Sequence, residues 1–205
     1  MADIIDNYKT IDKPSEGIYK EKGSKFISYA YPVYSEEEIK EHVRQLKDEF
    51  YDARHHCFAW QLGTDGLRYR ANDDGEPSGT AGKPIHGQLR SMELTNILVV
   101  VVRYFGGTKL GVPGLIHAYK EATADAINNA VIVEKTVNDM YSIKFDYLVM
   151  NDVMKIVKDE GLNMTNQKFD LSCEIEFSIR QSEVEKVVSR FEKVDTVKCE
   201  YLRTQ

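Results

Sequence analysis

Hydrophobic residues recur along the chain in two different periods, which predicts a protein that mixes helices and strands. Between Ile39 and Phe50 the apolar residues are spaced four, three and four apart, as on one face of an amphipathic helix. Ser35 and Glu38 in front of this run match a capping box, which favours a helix beginning there. By contrast, residues 96–102 are Asn-Ile-Leu-Val-Val-Val-Val, a β-branched run typical of a central strand covered on both faces.

Turn-forming residues divide the rest of the first 133 residues into further elements. Lys22-Gly23-Ser24 separates two strand-like segments and indicates a β-hairpin over residues 17–33. A second hairpin is predicted over residues 54–71, where residues 63–66 suit a tight turn. Two helices are predicted in addition, a short one over residues 84–92 and a long one over 113–129 that begins at Pro113.

From Lys135 onward the pattern restarts in the order strand, helix, strand, strand, helix, strand, which is typical of a ferredoxin-like domain. Ser182 and Glu185 match a second capping box, at the start of the second of these helices. The predicted fold class is therefore α/β (α+β), with two domains at residues 1–133 and 134–205. The six elements of the second domain are predicted over residues 137–147, 152–160, 162–169, 171–179, 182–192 and 196–202.

Composition and charge exclude several classes of protein. The chain has 205 residues, 42% of them hydrophobic and 29% charged, as expected for a globular protein, and its net charge is −6. Since neither side of Val133 has a basic excess, any nucleic-acid contact requires a local positive patch. The three cysteines lack CxxC spacing, and no apolar run is long enough to cross a bilayer. We therefore expect a cytoplasmic protein with no membrane contact.

A glycine-rich segment follows the predicted central strand. Residues 103–114, Arg-Tyr-Phe-Gly-Gly-Thr-Lys-Leu-Gly-Val-Pro-Gly, place four glycines and Lys109 between a strand and a helix N-terminus. Unpaired amides at a helix start attract anions, and Lys109 and Arg103 add positive charge. The alternative is that the glycines only permit a tight crossover between the sheet and its helix. Neither a Walker loop nor a GxGxxG motif is present, which disfavours general ATP or NAD binding.

A second segment, residues 73–84, combines acidic, small and hydroxyl residues in the order Asp-Asp-Gly-Glu-Pro-Ser-Gly-Thr-Ala-Gly-Lys-Pro. Its carboxylates are compatible with a divalent cation or with acid–base chemistry, and Ser78 or Thr80 with donation to a phosphate. The alternative is a capped turn in which the aspartates accept hydrogen bonds from nearby amides. Because the alternating ligands of a calcium loop are missing, no metal is predicted.

The third segment is Arg-His-His-Cys-Phe-Ala-Trp, residues 54–60, which is predicted to be a strand. One of its histidines is a candidate proton carrier, although a strand histidine is also a common structural donor. The aromatic face would suit base stacking on single-stranded RNA, or would simply pack in the core. Alternation along the strand sends His55 and Cys57 to one face, and Arg54, His56, Phe58 and Trp60 to the other.

Together, these three segments and Ser24-Lys25-Phe26 resemble the Impact family, in particular its bacterial YigZ-type members. The resemblance implies that the first domain is similar to the second domain of a small-subunit ribosomal protein. It implies that the second domain is similar to a late domain of elongation factor G. Eukaryotic relatives act in translational control, through a different partner-binding domain. One departure is His117, where many relatives have an arginine before Ala-Tyr.

The family pattern implies a candidate anion- or nucleic-acid-binding set, which consists of Arg54, Ser78, Thr80, Lys83, Arg103, Tyr104, Gly106, Gly107, Lys109 and Gly111. The leading hypothesis is a non-enzymatic protein of translation that binds RNA or the ribosome, with translation-control proteins as further partners and with no cofactor. The alternative is a hydrolase for a phosphorylated or nucleotide-like ligand, with His55 or His56 as base and Asp74 or Glu76 assisting. A third hypothesis is a protein-interaction module.

Overall fold

The structure is a computed structural model that describes residues 6–170 and 172–204. It divides into two compact units, each with its own hydrophobic core. The first unit is Tyr8–Lys135, and the second contains the described residues from Thr136 onward together with Asp6 and Asn7. The sequence predicts the division two residues earlier, after Val133.

Tyr8–Lys135 is built on a five-stranded antiparallel sheet in the order β2-β3-β6-β4-β5. Two further strands, β1 and β7, form a separate two-stranded sheet that the sequence does not predict. The strands are β1 Asn7–Ile11, β2 Ser15–Glu21, β3 Ser24–Pro32, β4 His55–Leu62, β5 Arg68–Asn72, β6 Ile97–Tyr104 and β7 Ile132–Thr136. The helices are α1 Glu36–Glu49, α2 Gly82–Ser91 and α3 Gly111–Asn128.

Strand β6 is the centre of the sheet, and both of its faces are buried, as the β-branched run predicts. Ile97, Val99 and Val101 pack in a core that α2 and α3 share. Leu98 and Val100 pack on the opposite side, in a smaller core that includes residues of α1. The helices therefore cover the sheet from both sides, and β6 reaches solvent only at its last residue, Tyr104.

The helix start predicted at Ser35 is confirmed. The Ser35 hydroxyl accepts from the amide of Glu38 at 3.2 Å, and the Glu38 carboxylate accepts from the amide of Tyr34 at 2.8 Å. The first bond satisfies an amide that the first turn of a helix leaves without a partner, and the second links Glu38 back to the residue before the cap. The local sequence alone is sufficient to begin α1.

The second unit has the predicted βαββαβ order. Its antiparallel sheet has the strand order β11-β8-β10-β9, which is the ferredoxin-like arrangement. Leu171, where the third strand is predicted to begin, lies outside the described residues. The elements are β8 Asn138–Asp146, α4 Met150–Asp159, β9 Asn163–Lys168, β10 Ser172–Arg180, α5 Val184–Phe191 and β11 Lys198–Thr204.

The capping box predicted at Ser182 is wrong. Ser182 lies in a 3₁₀ turn, and its amide donates to the carboxylate of Asp6 at 3.1 Å, so that α5 begins only at Val184. Arg180 donates to the same carboxylate through Nε and Nη2, at 2.8 and 2.9 Å. These Arg180 bonds hold the pKa of Asp6 well below its usual range, despite burial. Within the described part of the chain, no helix is long and apolar enough to cross a membrane.

Candidate functional site

A cleft of about 900 Å³ lies where β6 ends and α3 begins. It contains seven of the residues that the sequence nominates: Arg54, His55, Glu76, Arg103, Tyr104, Lys109 and Gly111. The remaining nominated residues do not line it: His56, Asp74, Ser78, Thr80, Lys83, Gly106 and Gly107. Its other lining residues are Asp52, Ala53, Pro77, Phe105, Leu110, Val112 and Leu115.

Strand register brings the cleft together. β4 and β6 are antiparallel neighbours, and His55 at the start of β4 lies opposite Arg103 at the end of β6. The glycine segment then leads from β6 into α3, which begins at Gly111. Segments that are about fifty residues apart in sequence therefore meet at one edge of the sheet.

Arg103 and Glu76 form a buried ion pair at the floor of the cleft. The Nη1 of Arg103 lies 2.5 Å from the Oε1 of Glu76, and the two side chains are only 7% and 4% exposed. The hydroxyl of Tyr119 donates to the same oxygen at 2.9 Å. Because Glu76 balances its charge, Arg103 does not supply the free positive charge that the sequence analysis expects of it.

The guanidinium of Arg103 also lies between two aromatic rings. Its central carbon is 5.4 Å from the centre of the Phe26 ring and 5.7 Å from that of Phe105. Its Nε is buried and has no hydrogen-bond partner among the described residues. Arg103 therefore makes a cation–π contact with Phe105, a residue that is 57% exposed.

Tyr119 and Cys57 lie beneath this pair and remain protonated. The Sγ of Cys57 is 3.3 Å from the Tyr119 hydroxyl oxygen and 3.0 Å from the carbonyl oxygen of Asp73. Burial raises the pKa of both groups far above their ordinary values. They act as hydrogen-bond donors to Glu76 and to the acidic loop, residues 73–81, and they keep their protons at neutral pH.

The carboxylate of Asp73 caps the start of α2. It accepts hydrogen bonds from the amides of Gly79, Ala81 and Gly82 at 2.8, 3.0 and 2.8 Å. Burial raises the pKa of Asp73, but the three amide bonds outweigh burial, and the net result is a lowered pKa. For Asp73, the structure has the capped turn that the sequence analysis gives as the alternative. The described residues contain no group of three or more His, Cys, Asp or Glu able to hold a metal ion.

Asp74 contacts both histidines, His56 through its carboxylate and His55 through its backbone carbonyl. Its carboxylate accepts from the amide of His56 at 2.7 Å and pairs with Lys47 at 3.1 Å. Its carbonyl oxygen lies 2.9 Å from the Nδ1 of His55. A carbonyl can only accept, so this Nδ1 carries the hydrogen and the Nε2 of the neutral His55 ring is an acceptor.

The two histidines have different environments. His55 lines the cleft. His56 is buried away from it, its Nε2 has no partner among the described residues, and burial lowers its pKa. Of the two candidate bases, only His55 can meet a ligand in the cleft.

Ser78, Thr80 and Lys83 lie outside the cleft. Thr80 is buried, and its hydroxyl donates to the carbonyl of Pro77 at 2.7 Å. Ser78 is exposed on the acidic loop, and Lys83 is exposed in the first turn of α2. The expected donation from Ser78 or Thr80 to a phosphate in the cleft is therefore not supported by their positions.

Free positive charge in the cleft comes from Lys109 and Arg54. Both side chains are exposed, and none of the ion pairs formed within residues 6–170 and 172–204 involves either one. Helix α3 begins beside Lys109 with no side-chain cap and no acidic residue in its first turn. The other cleft acid, Asp52, accepts from the Tyr104 hydroxyl at 2.7 Å, a bond that raises the pKa of Tyr104 to about 12.

Gly106 and Gly107 shape the loop from outside the cleft. A Cβ on Gly106 would lie 1.9 Å from the carbonyl carbon of Gly23, and its amide donates to the Ser24 hydroxyl at 3.1 Å. Gly107 has a φ of +87°, which favours glycine. The close approach explains why the Ser24-Lys25-Phe26 motif and the glycine segment occur together.

The aromatic face of β4 is not a free platform for RNA bases. Phe58 and Trp60 pack with Ile39 and Leu46 of α1, and Trp60 is 7% exposed. Arg54 precedes β4 and lines the cleft with His55, not the aromatic face with His56. The structure therefore favours the packed core for these aromatic residues.

Comparison with known proteins identifies the family. The model of the Impact N-terminal domain matches residues 22–127. The IMPACT family member YvyE of Bacillus subtilis is 30% identical over 88% of this chain and 83% of its own length. YigZ of Escherichia coli is 39% identical over 62% of this chain and 63% of its own length. A crystal structure of a hypothetical protein, 26% identical, superposes with a TM-score of 0.71 over 98% of this chain and 99% of that one. The chain belongs to the Impact family, as the sequence motifs predict.

Proposed function

We propose that the chain is a cytoplasmic, non-enzymatic protein of translation that binds RNA or the ribosome through the cleft at the start of α3. The observation that carries the proposal is a pair of exposed cations, Lys109 and Arg54, which form no ion pair with any described residue and line the same cleft as a helix N-terminus without a side-chain cap. Such an arrangement is suited to a phosphate group. The translational setting is supported by family membership, because the resemblance implies translational control for eukaryotic members.

The charge balance of the cleft favours an anion although the whole chain carries −6. Its two acids are already engaged, Asp52 by Tyr104 and Glu76 by Arg103 and Tyr119. A ligand phosphate would therefore meet Lys109, Arg54 and the first amides of α3 without displacing an internal ion pair. Because binding would depend on contacts between exposed charges, a high salt concentration would weaken it.

The test is a titration of the full chain with purified ribosomes and with structured RNA at several salt concentrations. Lys109→Ala and Arg54→Ala should each weaken binding and reduce the slope of log affinity against log salt by about 1, because each removes one phosphate contact. Lys120→Ala is the matched control, since Lys120 is exposed on α3 and outside the cleft lining. Unchanged affinity and slope in both cleft variants would refute the proposal.

One observation favours a second candidate, a hydrolase of a phosphorylated ligand. In the neutral form of His55, the Nε2 is an acceptor that lines the cleft, as a general base requires. The assisting roles suggested for Asp74 and Glu76 are less favourable, because their carboxylates already accept from the His56 amide and from Arg103. Release of phosphate from nucleotides that is lost in His55→Gln would support this candidate over simple binding.

A further inference from the structure

The cleft has an apolar side that a phosphate would not use. Phe105, Leu110, Val112 and Leu115 line it together with Pro77. Phe105 and Val112 are 57% and 52% exposed, although large apolar side chains usually gain free energy from burial. An aromatic ring and an aliphatic wall beside an anion site indicate a ligand with a flat apolar part and a negative charge.

Phe105 has a cationic neighbour in the protein before any ligand arrives. The Arg103 guanidinium lies between the rings of Phe26 and Phe105, and Glu76 pairs with that guanidinium. Arg103 is 7% exposed, and its Nε has no partner among the residues that the structure describes. Because that Nε is buried and Glu76 balances the charge of Arg103, the exposed groups that a ligand meets are the Phe105 ring and Lys109. A ring that already has a contact on one side loses less conformational entropy when another ring stacks on it.

The receptors for the two parts of the ligand are close in sequence. Phe105 and Lys109 are separated by three residues, and α3 begins two residues after Lys109. The Nε2 of His55, an acceptor on the same cleft, can receive a hydrogen bond from a hydroxyl or an amine. The cleft volume of about 900 Å³ is within the range of sites for small organic ligands, roughly 300–1,000 Å³.

We infer that the cleft binds one unpaired nucleotide, with its base against Phe105 and its phosphate at Lys109 and the first amides of α3. Resting on the proposed function, this inference specifies the unit of RNA that the site recognises. A nucleoside monophosphate in solution and an unpaired nucleotide within RNA have the same recognition chemistry. An aromatic side chain accepts any base by stacking, so discrimination between the four bases is not part of the inference.

The first experiment compares AMP with ribose 5-phosphate, which has the same phosphate and sugar but no base, by calorimetric titration of the full chain. AMP should bind about fivefold to a hundredfold more tightly, which corresponds to one base stacked on an aromatic ring. Phe105→Ala should remove this difference, and Phe105→Tyr should retain it. Lys109→Ala should weaken both ligands. Trp60 fluorescence reports whether each variant keeps the fold of the first unit.

The second experiment repeats the measurement with a single-stranded adenine hexanucleotide in place of AMP. If AMP binds and the binding depends on Phe105, the inference is supported and a free nucleotide is a sufficient ligand. If only the hexanucleotide binds in a Phe105-dependent way, the inference is supported and the ligand is a nucleotide within RNA. Absence of nucleotide binding, or binding that Phe105→Ala leaves unchanged, overturns the inference. Ribosome titration with Lys109→Ala then decides the proposed function separately, because that result does not depend on Phe105.

Discussion

Glu76 in the first unit and Glu160 in the second are held by similar donors in different surroundings. Glu76 accepts from Arg103 and from the Tyr119 hydroxyl, and Glu160 accepts from Arg190 and from Lys186. The side chain of Arg103 is 7% exposed, whereas those of Arg190 and Lys186 are 34% and 65% exposed. The Glu160 side chain is itself only 9% exposed, but its cationic partners reach solvent, so that only the Arg103–Glu76 pair has both partners buried.

The difference corresponds to what each pair does. Glu160 links the end of α4 to α5 on the surface of the second unit. Glu76 links the acidic loop to Arg103 near the end of β6, at the floor of the cleft. Arg103 in turn contacts the ring of Phe105. A buried pair costs desolvation free energy, and here it gives a defined geometry in a place where the proposed ligand needs one.

The largest expected effect is that of Glu76→Ala, which leaves the Arg103 guanidinium buried without its counter-ion. We expect the free energy of unfolding of the first unit to fall by about 3–5 kcal/mol. Trp60 is the single tryptophan of the chain and lies in this unit, so denaturant unfolding followed by its fluorescence measures the change.

A double variant shows whether the loss is due to the unpaired charge. Glu76→Gln combined with Arg103→Met removes both charges and keeps similar volumes, and it should recover much of the stability lost in Glu76→Ala. If Glu76→Ala lowers the free energy of unfolding by less than about 1 kcal/mol, the Arg103–Glu76 pair contributes no more than an exposed ion pair. The contrast with Glu160 would then be lost.

Elements with strong local patterns are predictable from this sequence. The central position of β6, the helix begun at Ser35 and the βαββαβ order are all confirmed, because each depends on periodicity or on neighbouring residues. The two capping boxes show the limit of that approach. Ser35 caps its helix, whereas the Ser182 amide donates to Asp6, 176 residues away. The separate β1–β7 sheet likewise joins two distant segments that have little apolar pattern of their own.

The sequence indicates which segments contribute to the candidate site, but it does not indicate which of their side chains contact one another. The structure brings His55, Lys109 and Gly111, which belong to two different motifs, into one cleft. The pairing of Arg103 with Glu76 bridges 27 residues through the fold, and nothing in either local sequence specifies it. Phe105 was missed because a phenylalanine beside a buried strand resembles a core residue. Its position directly before Gly106-Gly107 was the available signal, since glycine loops commonly lie at the surface.

A smaller effect is expected for Asp73→Asn, which weakens the acceptor for three amides at the start of α2. At neutral pH we expect the variant to be less stable by about 1–3 kcal/mol. The folded-state pKa of Asp73 is below its ordinary value of 3.8, so its contribution is present above pH 4 and is lost as the pH falls through the folded-state pKa. The stabilities of the two proteins should therefore converge in acid.

Unfolding curves of both proteins between pH 2 and pH 7 test this convergence, again with Trp60 as the probe. Asp12→Asn is the control, because Asp12 is exposed in the same unit and its carboxylate accepts none of the hydrogen bonds seen within residues 6–170 and 172–204. A stability difference that is constant with pH would mean that the charge of Asp73 does not matter and that its shape alone caps α2.

The smallest effect is expected for Glu160→Gln in the second unit. Water and salt ions reach Lys186 and Arg190, so the variant should destabilise the second unit by less than Glu76→Ala destabilises the first. The difference should shrink further in 1 M salt, where the screening length is about 3 Å. Hydrogen exchange of the α4 and α5 amides, measured by mass spectrometry at low and high salt, isolates this unit. Equal effects at both salt concentrations would show that the Glu160 cluster is shielded from solvent like the Arg103 pair. The two carboxylates would then differ in the residues that contact them and not in their exposure to water.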